Sequence, residues 1–300
     1  MRYRTGFLRD PAPLFYDDLL PDRSSKGRVV LVHGGCLTGA CYLNTPDDRL
    51  GWAHAFLAHN YRVLVPDWPG AGRSAAIPPD KVTGELVCEA IGRLLDACDG
   101  DAVLLVHSMS GPFGFRLVEM HGDRIKALIA VAPGPPGNIQ PEPVVLAETN
   151  HDLEIQGTAS RWRIPKRGLW WPTESFARDK MIGSSVRFPF KAFDPFYRQL
   201  VALPAGLLSE RQNVHGSQLR VHDPARFPGK PVLVLTGDRD TDHSRAADAA
   251  TADWLVTLGA DVTFRFLDDP IYKGNGHVLM GEDNSDAIAE LIIAWLDERA

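Results

Sequence analysis

Three widely separated side chains have the types that nucleophilic catalysis requires: Ser108, Asp240 and His277. Ser108 lies in the stretch VLLVHSMSGPFGFRLVEM, where an apolar run typical of a strand changes abruptly to a helical pattern. A serine at such a turn exposes its hydroxyl, and an imidazole oriented by a carboxylate can take its proton. The same local pattern also fits a serine that only caps the following helix.

The turn around Ser108 departs from the usual nucleophile pattern at one position. A serine held at positive φ requires small residues two before and two after it, because their side chains crowd the turn. Ser110 is small, but Val106 stands where glycine is expected. Gly111 and Gly114 follow, and they predict a close approach of the helix to the sheet.

A glycine-rich stretch, VHGGCLTG at 32–39, follows the first strong strand and predicts an oxyanion-binding loop. The backbone amide of Gly35 is the first candidate donor, and that of Met109 is the second. Two such amides stabilise the negative charge that develops on a carbonyl oxygen. A strand-to-loop turn without a catalytic role is the alternative. We interpret Cys36, beside this loop, as a packing or pocket-lining residue rather than a nucleophile.

Three aspartates compete for the role of the acid in the stretch GDRDTDHS, which follows the strand PVLVLT. Asp240, three residues beyond the end of that strand at Gly237, is the preferred candidate. Asp238 and Asp242 stay open as rivals, because the geometry of a loop cannot be read from its sequence. A surface cluster without a function is the remaining interpretation.

The candidate base is His277, which lies between glycines in the loop before the last predicted helix. The chain order of serine, aspartate and histidine is the order used by hydrolases whose nucleophile lies on a strand–turn–helix. His33 and His107 directly follow predicted strands, so we interpret both as residues that support loops.

The elements that must position these side chains alternate along the chain. Short apolar runs alternate with segments of helical period, which predicts βαβ units and a parallel sheet covered on both faces. The predicted strands lie at 28–33, 62–66, 102–107, 126–131, 231–236 and 261–267. The predicted helices lie near 51–59, 82–98, 109–121, 244–258 and 285–298. The first 25 residues predict an additional antiparallel hairpin at one edge.

The segment 135–228 interrupts this alternation. It is rich in proline and aromatic residues, and a structureless loop of this length is implausible. We therefore predict a cap, mostly helical, inserted into a core formed by residues 1–134 and 229–300. Its residues Trp162, Trp170 and Trp171 are candidates for lining a pocket that accepts an apolar group.

Composition excludes several classes of function. The 300 residues carry a net charge of −6 with both signs dispersed, which argues against a nucleic-acid face and a membrane surface. The spacing of the four cysteines matches no zinc or redox motif, so we expect four reduced thiols. The chemistry of a serine, a histidine and an aspartate needs no metal or organic cofactor, and we expect none. The N-terminus lacks a signal-peptide pattern, which predicts a cytoplasmic location. A homodimer is a candidate for the oligomeric state of this chain.

These motifs resemble the α/β-hydrolase family over essentially the whole chain. HGGCLTG, TPDDRLGW, DWPGAGRS, HSMSG and GNGHVLM are similar to a branch of bacterial and fungal esterases. The resemblance implies an α/β-hydrolase fold, with Ser108 as nucleophile and His277 as base. Some members of the branch carry adjacent cysteines in the oxyanion loop, whereas this chain has Gly35-Cys36. Others carry a glutamate after the strand that follows the nucleophile helix, where this chain has Ala132, and that difference favours Asp240.

The sequence therefore predicts a serine hydrolase that cleaves a small-molecule ester or lactone. Cleavage of a carbon–carbon bond, or a lyase reaction, by the same three residues is one alternative. A receptor-like protein that binds a ligand without converting it is another. Assays of aryl esters against β-diketones or cyanohydrins, and labelling with a fluorophosphonate, distinguish the three.

Overall fold

The computed structural model describes residues 1–98, 100–157 and 160–299, so Thr158 and Ala159 of the predicted cap lie outside the described residues. The strands are, in chain order, β1 (Arg2–Leu8), β2 (Leu14–Leu20), β3 (Gly27–Val32), β4 (Tyr61–Asp67), β5 (Ala102–His107), β6 (Ile125–Val131), β7 (Val144–Glu148), β8 (Asp152–Gln156), β9 (Arg161–Pro165), β10 (Leu169–Trp170), β11 (Leu203–Pro204), β12 (Pro231–Gly237) and β13 (Asp261–Leu267). The α-helices are, in chain order, α1 (Ala40–Leu43), α2 (Trp52–Ala58), α3 (Gly84–Asp96), α4 (Gly111–His121), α5 (Glu174–Phe176), α6 (Phe193–Gln199), α7 (Ala205–Arg211), α8 (Arg245–Thr257) and α9 (Ser285–Asp297). A π-helical turn, Ala177–Ile182, continues α5.

The main sheet has the order β1-β2-β4-β3-β5-β6-β12-β13. The strands from β4 to β13 in this order pair in parallel, whereas β1 with β2 and β2 with β4 pair antiparallel. The predicted parallel sheet is thus confirmed, and so is the hairpin at its edge. All six strands predicted in the core are present, with ends that differ by at most one residue.

Both faces of the sheet are covered because successive side chains of a strand point to opposite sides. In β5 every residue is buried; Leu104 and Val106 join the apolar cluster under α3, α4 and α8. Val103 and Leu105 join the cluster under α2 and α9. A continuous apolar run is therefore the pattern of a strand buried on both faces.

The segment 135–228 lies between β6 and β12, where an inserted cap was expected, and it is less helical than expected. It contains the short helices α5 to α7, and also a three-stranded antiparallel sheet of β7, β8 and β9 and a pair formed by β10 and β11. The sequence of β8 and β9, DLEIQ and RWRIP, alternates apolar and charged residues with the period of a strand. That short alternation was the signal that the sequence prediction missed.

Most aromatic residues of this segment contribute to its own packing. Phe188, Phe193 and Phe196 are all at most 5% exposed, and the rings of Phe188 and Phe196 lie 5.2 Å apart, edge to face. The same three residues also belong to the apolar cluster that includes side chains of β3 and α9, so the segment packs against the core. Among the described residues, no helix has the length and apolar character needed to cross a membrane.

Candidate active site

Ser108 lies on a sharp turn between β5 and α4, with a φ of 53° in the left-handed region. A short 3-10 turn, Ser108–Ser110, connects the strand to the helix. The hydroxyl of Ser110 accepts the His107 amide at 2.8 Å, and the Gly134 amide donates to the carbonyl of Ser108 at 2.8 Å. These bonds stabilise a conformation that costs about 1–3 kcal/mol in a residue with a side chain.

The imidazole of His277 bridges the two other candidate residues. Its Nε2 lies 2.8 Å from Ser108 Oγ, and its Nδ1 lies 2.7 Å from Asp240 Oδ2. With the proton on Nδ1 donated to the carboxylate, the lone pair of Nε2 faces the serine hydroxyl. The three residues selected from the sequence thus form one hydrogen-bonded chain at the carboxyl ends of the parallel strands.

The carboxylate of Asp240 is fully buried, and its second oxygen accepts the amides of Asp242 and His243 at 2.8 and 2.9 Å. Burial by itself would raise the pKa of Asp240, but the adjacent imidazoles and the hydrogen bond from His277 outweigh it. The pKa of Asp240 is therefore lowered, and the group stays ionised.

The two rival aspartates have other partners. Asp238 Oδ1 accepts the amides of Gly274 and Asn275 at 2.6 and 3.2 Å, so it braces the loop that carries His277. Asp242 forms an ion pair with Lys180. Of the three candidates left open by the sequence, Asp240 is the one that hydrogen-bonds to the imidazole.

Two further contacts position the His277 loop. The imidazole of His107 hydrogen-bonds through Nε2 to the carbonyl of His277 at 2.9 Å. Gly237, at the end of β12, has no room for a side chain, because a Cβ there would lie 2.4 Å from the carbonyl oxygen of Gly276. The Nε2 of His33 accepts the amide of Trp68 at 3.3 Å, so His33, like His107, supports a loop.

The two candidate oxyanion donors, Gly35 and Met109, are neighbours. A Cβ on Gly35 would lie 3.0 Å from the sulfur of Met109, so the loop after β3 packs directly on the turn after Ser108. The amide of Gly35 has no acceptor among the described residues. The amide of Met109 lies in the first turn of a helical segment, where N–H groups lack intrahelical partners. Both residues line the same cavity as Ser108.

The cavity at Ser108 has a volume of about 50 Å³. Of the four predicted pocket residues, Cys36 and Trp162 line it. Trp170 lines an adjoining outer cleft instead. Trp171 was predicted wrongly, since its side chain is 68% exposed and lines neither space. Burial raises the pKa of the Cys36 thiol, which keeps it protonated and a weak nucleophile.

A second histidine–aspartate pair, which the sequence analysis missed, lies against the first. His243 Nδ1 is 2.9 Å from Asp248 Oδ1, and its ring stacks on that of His277 with centroids 5.1 Å apart. Burial lowers the pKa of His243, but the carboxylates of Asp248, Asp240 and Asp242 outweigh it, so its pKa is raised. The spacing of five residues between His243 and Asp248 is the signal that could have found this pair.

One group in the described residues has the donor types and proximity for a metal ion: Asp242, His243 and His277, with donor atoms within 4.8 Å of one another. Both nitrogens of His277 are already occupied, one by Asp240 and one by Ser108. A metal ion at this position would have to displace one of these contacts. We therefore assign the group to the surroundings of the serine–histidine–aspartate chain.

This chain has a mostly parallel sheet that is covered on both faces. A serine turn, an aspartate loop and a histidine loop meet at one rim of the sheet, and this is the arrangement of the α/β hydrolases. A model of the alpha/beta hydrolase family matches residues 29–291, and the chain belongs to this family. This membership confirms the resemblance to the α/β-hydrolase family and the fold predicted from the sequence.

Known proteins extend the comparison. The chain is 24% identical over 95% of its length to a probable secreted lipase from a fungal strain, of which it covers 86%. It is 30% identical over 38% of its length to a 2-hydroxy-6-oxo-6-phenylhexa-2,4-dienoate hydrolase from Burkholderia cepacia, of which it covers 39%. Its fold superposes on a lipase in an open form with a TM-score of 0.68, 15% identity and 99% coverage of both chains. Together with the family, these relatives indicate a hydrolase.

Proposed function

We propose that the protein is a serine hydrolase that cleaves a carboxylic ester or lactone through an acyl-enzyme. The observation that carries the proposal is the position of His277, whose two nitrogens lie 2.8 Å from Ser108 Oγ and 2.7 Å from Asp240 Oδ2. This geometry suits a general base that is oriented by an acid and acts on a serine nucleophile.

In the proposed reaction the Oγ of Ser108 attacks the carbonyl carbon while its proton moves to Nε2 of His277. The carbonyl becomes an oxyanion, and its collapse breaks the bond to the leaving oxygen, which takes the proton from His277. Water then attacks the acyl-enzyme, gives its proton to the same imidazole, and releases the acid as Ser108 recovers its proton. The carboxylate of Asp240 stabilises the imidazolium in both steps.

The amides of Gly35 and Met109 are the proposed oxyanion donors. They line the cavity of Ser108 from adjacent loops, and the amide of Gly35 is free of other acceptors among the described residues. Loss of one such donor typically lowers kcat about 10²–10³-fold. The remaining lining is largely apolar, which supports a substrate with an apolar acyl or alcohol group; it includes Phe176, Met181, Leu203 and Leu208.

The proposal is tested by intact-mass analysis after treatment with a fluorophosphonate. We expect one adduct on the wild-type chain, no adduct on Ser108→Ala, and loss of aryl-ester hydrolysis in that variant. Ser217→Ala, at an exposed serine that does not line the cavity, is the matched control and should keep both properties. Hydrolysis at the wild-type rate by Ser108→Ala would overturn the assignment. A wild-type chain that neither labels nor turns over esters would favour the ligand-binding alternative.

Cleavage of a carbon–carbon bond is the second candidate reaction. The similarity to the Burkholderia cepacia hydrolase favours it, because the substrate in that protein's name contains no ester bond. That similarity covers 38% of this chain, whereas the probable lipase is similar over 95% of it, so the ester is our first choice. Turnover of β-diketones faster than of aryl esters would reverse this order.

The location and the assembly stay predictions. One relative is named as a secreted lipase, so the cytoplasmic location predicted from the N-terminus needs its own test by fractionation of the native host. A homodimer is tested by light scattering on the purified chain. We propose a small-molecule partner and no nucleic acid, as the dispersed charge of the sequence indicates.

A further inference from the structure

A single arginine lies where the cavity of Ser108 meets a larger cleft. Arg211, the last residue of α7, lines both the cavity of about 50 Å³ and an adjoining cleft of about 430 Å³. Trp162 and Lys180 also line both spaces. A group bound at Arg211 can therefore belong to the same small molecule as a carbonyl placed at Ser108.

The guanidinium of Arg211 forms no ion pair with any carboxylate among the described residues. Among the described residues, no Asp or Glu oxygen lies within 4.0 Å of it, although Lys180 in the same wall is paired with Asp242. Its side-chain hydrogen bond is a long one, 3.4 Å to Gln140 Oε1. Burial lowers the pKa of Arg211 and the more distant carboxylates of Asp242 and Asp248 oppose that shift, but a guanidinium keeps its proton in either case.

The surrounding chain holds Arg211 in place. A Cβ on Gly134 would lie 2.7 Å from Arg211 Nε, so the absence of a side chain there makes room for the guanidinium. The carbonyl of Arg211 accepts the side-chain amides of Gln140 at 3.0 Å and Gln218 at 3.3 Å. Because the amide of Gly134 also donates to the carbonyl of Ser108, the arginine and the nucleophile share one bracing residue.

We propose that Arg211 binds a carboxylate of the substrate, so that the preferred substrate is an ester or lactone that carries a carboxylate away from the scissile bond. This inference rests on the proposed function. A guanidinium offers two parallel N–H donors to a carboxylate, and such charge-assisted bonds are stronger than those between neutral groups. The anion supplies a counter-charge within ion-pair distance of Arg211, which no carboxylate of the described residues does.

The test compares mono-4-nitrophenyl esters of α,ω-dicarboxylic acids with the corresponding ω-carboxamides, which have the same shape without the charge. For the wild-type chain we expect kcat/KM to be at least about 10-fold higher for the acid at the best chain length. In Arg211→Gln, kcat/KM for the acid should fall about 10–100-fold, mainly through KM, and that for the amide should change less than about 3-fold. The length of the dicarboxylic acid that gives the highest kcat/KM then indicates the distance between Ser108 and Arg211.

Arg198→Gln is the matched control, because Arg198 is an exposed arginine of α6 and lines neither space. It should not change the preference for the acid. An equal loss for acid and amide in Arg211→Gln would assign Arg211 a purely structural role and overturn the proposal.

The wild-type chain provides a test that does not depend on the folding of a variant. Glutarate monoamide should inhibit hydrolysis of a neutral aryl ester at least about 10-fold more tightly than glutaramide, and added salt should weaken this inhibition. Equal inhibition by the two would overturn the proposal. In that case hydrolysis of the neutral ester, abolished by Ser108→Ala, would still stand, so failure here is distinct from failure of the proposed function.

Discussion

The side chain of Val106 occupies the space that a side chain on Gly114 would need. A Cβ on Gly114 would lie 2.9 Å from both γ-carbons of Val106, which is closer than packed carbons approach. Val106 is the residue that departs from the expected small residue two positions before Ser108. The turn therefore tolerates valine at position 106 because the facing position on α4 is a glycine, which leaves room for the valine side chain.

This relationship predicts a coupling between positions 106 and 114. Gly114→Ala should destabilise the fold by about 1–3 kcal/mol through overpacking, even though alanine favours a helix by about 1 kcal/mol over glycine. Val106→Ala alone should cost about 2 kcal/mol as a cavity. The double variant should cost less than the sum by at least about 1 kcal/mol. Urea unfolding of the four proteins measures this coupling, and additive costs would show that the two residues do not compete for space.

Among the three aspartates of the loop after β12, we expect substitution of Asp240 to cause the largest loss of activity, because its buried carboxylate hydrogen-bonds to His277. Asp240→Asn keeps the size of the side chain but removes the charge that orients His277 and stabilises its protonated form. We expect kcat for an aryl ester to fall about 10³–10⁴-fold with little change in KM. Assays at saturating substrate measure the ratio of the wild-type kcat to the variant kcat directly.

Two neighbouring aspartates provide the controls for Asp240. An asparagine at 238 can still accept the amides of Gly274 and Asn275, so Asp238→Asn should change kcat less than about 10-fold. Asp242→Asn leaves Lys180 without its ion pair and should act mainly on stability. If either control lost as much kcat as Asp240→Asn, the choice of acid would have to be revised.

The sequence predicted the parts of the site that local pattern determines. Ser108 and His277 could be found because each lies at a break between a strand pattern and a helical pattern, with glycines nearby. The sequence favoured Asp240 but left Asp238 and Asp242 open, because loop hydrogen bonds decide which carboxylate points to the imidazole.

Contacts between residues that lie far apart in the chain could not be predicted from the sequence. Arg211 lies over a hundred residues from Ser108 in the chain and reaches the same cavity only through the path of the inserted segment. The stacking of His243 on His277 depends in the same way on two loops that the sequence does not relate. Contacts of this kind are set by packing between elements and leave no periodic signal.

A buried glutamate predicts a pH-dependent stability of the His277 loop. Glu282 is fully buried and accepts the Gly276 amide at 2.7 Å; burial raises its pKa to about 8. The pKa of Glu282 is higher in the folded chain than in the unfolded chain. At pH values between these two pKa values, the folded chain therefore binds one proton more than the unfolded chain. The contribution to stability is therefore full below about pH 4.5 and is lost as the pH rises through about 8.

Glu282→Gln should remove this dependence, because glutamine keeps an acceptor for the Gly276 amide but carries no titrating proton. Between about pH 6 and about pH 8, the wild type should lose about 1.4 kcal/mol per pH unit in unfolding free energy relative to the variant. Paired urea titrations at each pH measure the difference and cancel groups common to both proteins. Parallel curves would show that Glu282 does not retain its proton in the folded chain.

The last prediction concerns Trp162, which lines the cavity of Ser108 and two outer clefts. Its side chain is 8% exposed, packs on Trp170 and Phe176 with centroids 5.6 and 5.8 Å apart, and lines all three spaces, of about 50, 430 and 600 Å³. Trp162→Leu should open the small cavity, so that the optimum acyl length of 4-nitrophenyl esters shifts upward by at least two carbons while kcat for acetate falls. Trp171→Leu, at a tryptophan that is 68% exposed, is the control and should leave the optimum unchanged. An unchanged optimum in both variants would mean that the acyl chain does not pass Trp162 and that the substrate enters along another wall of the cavity.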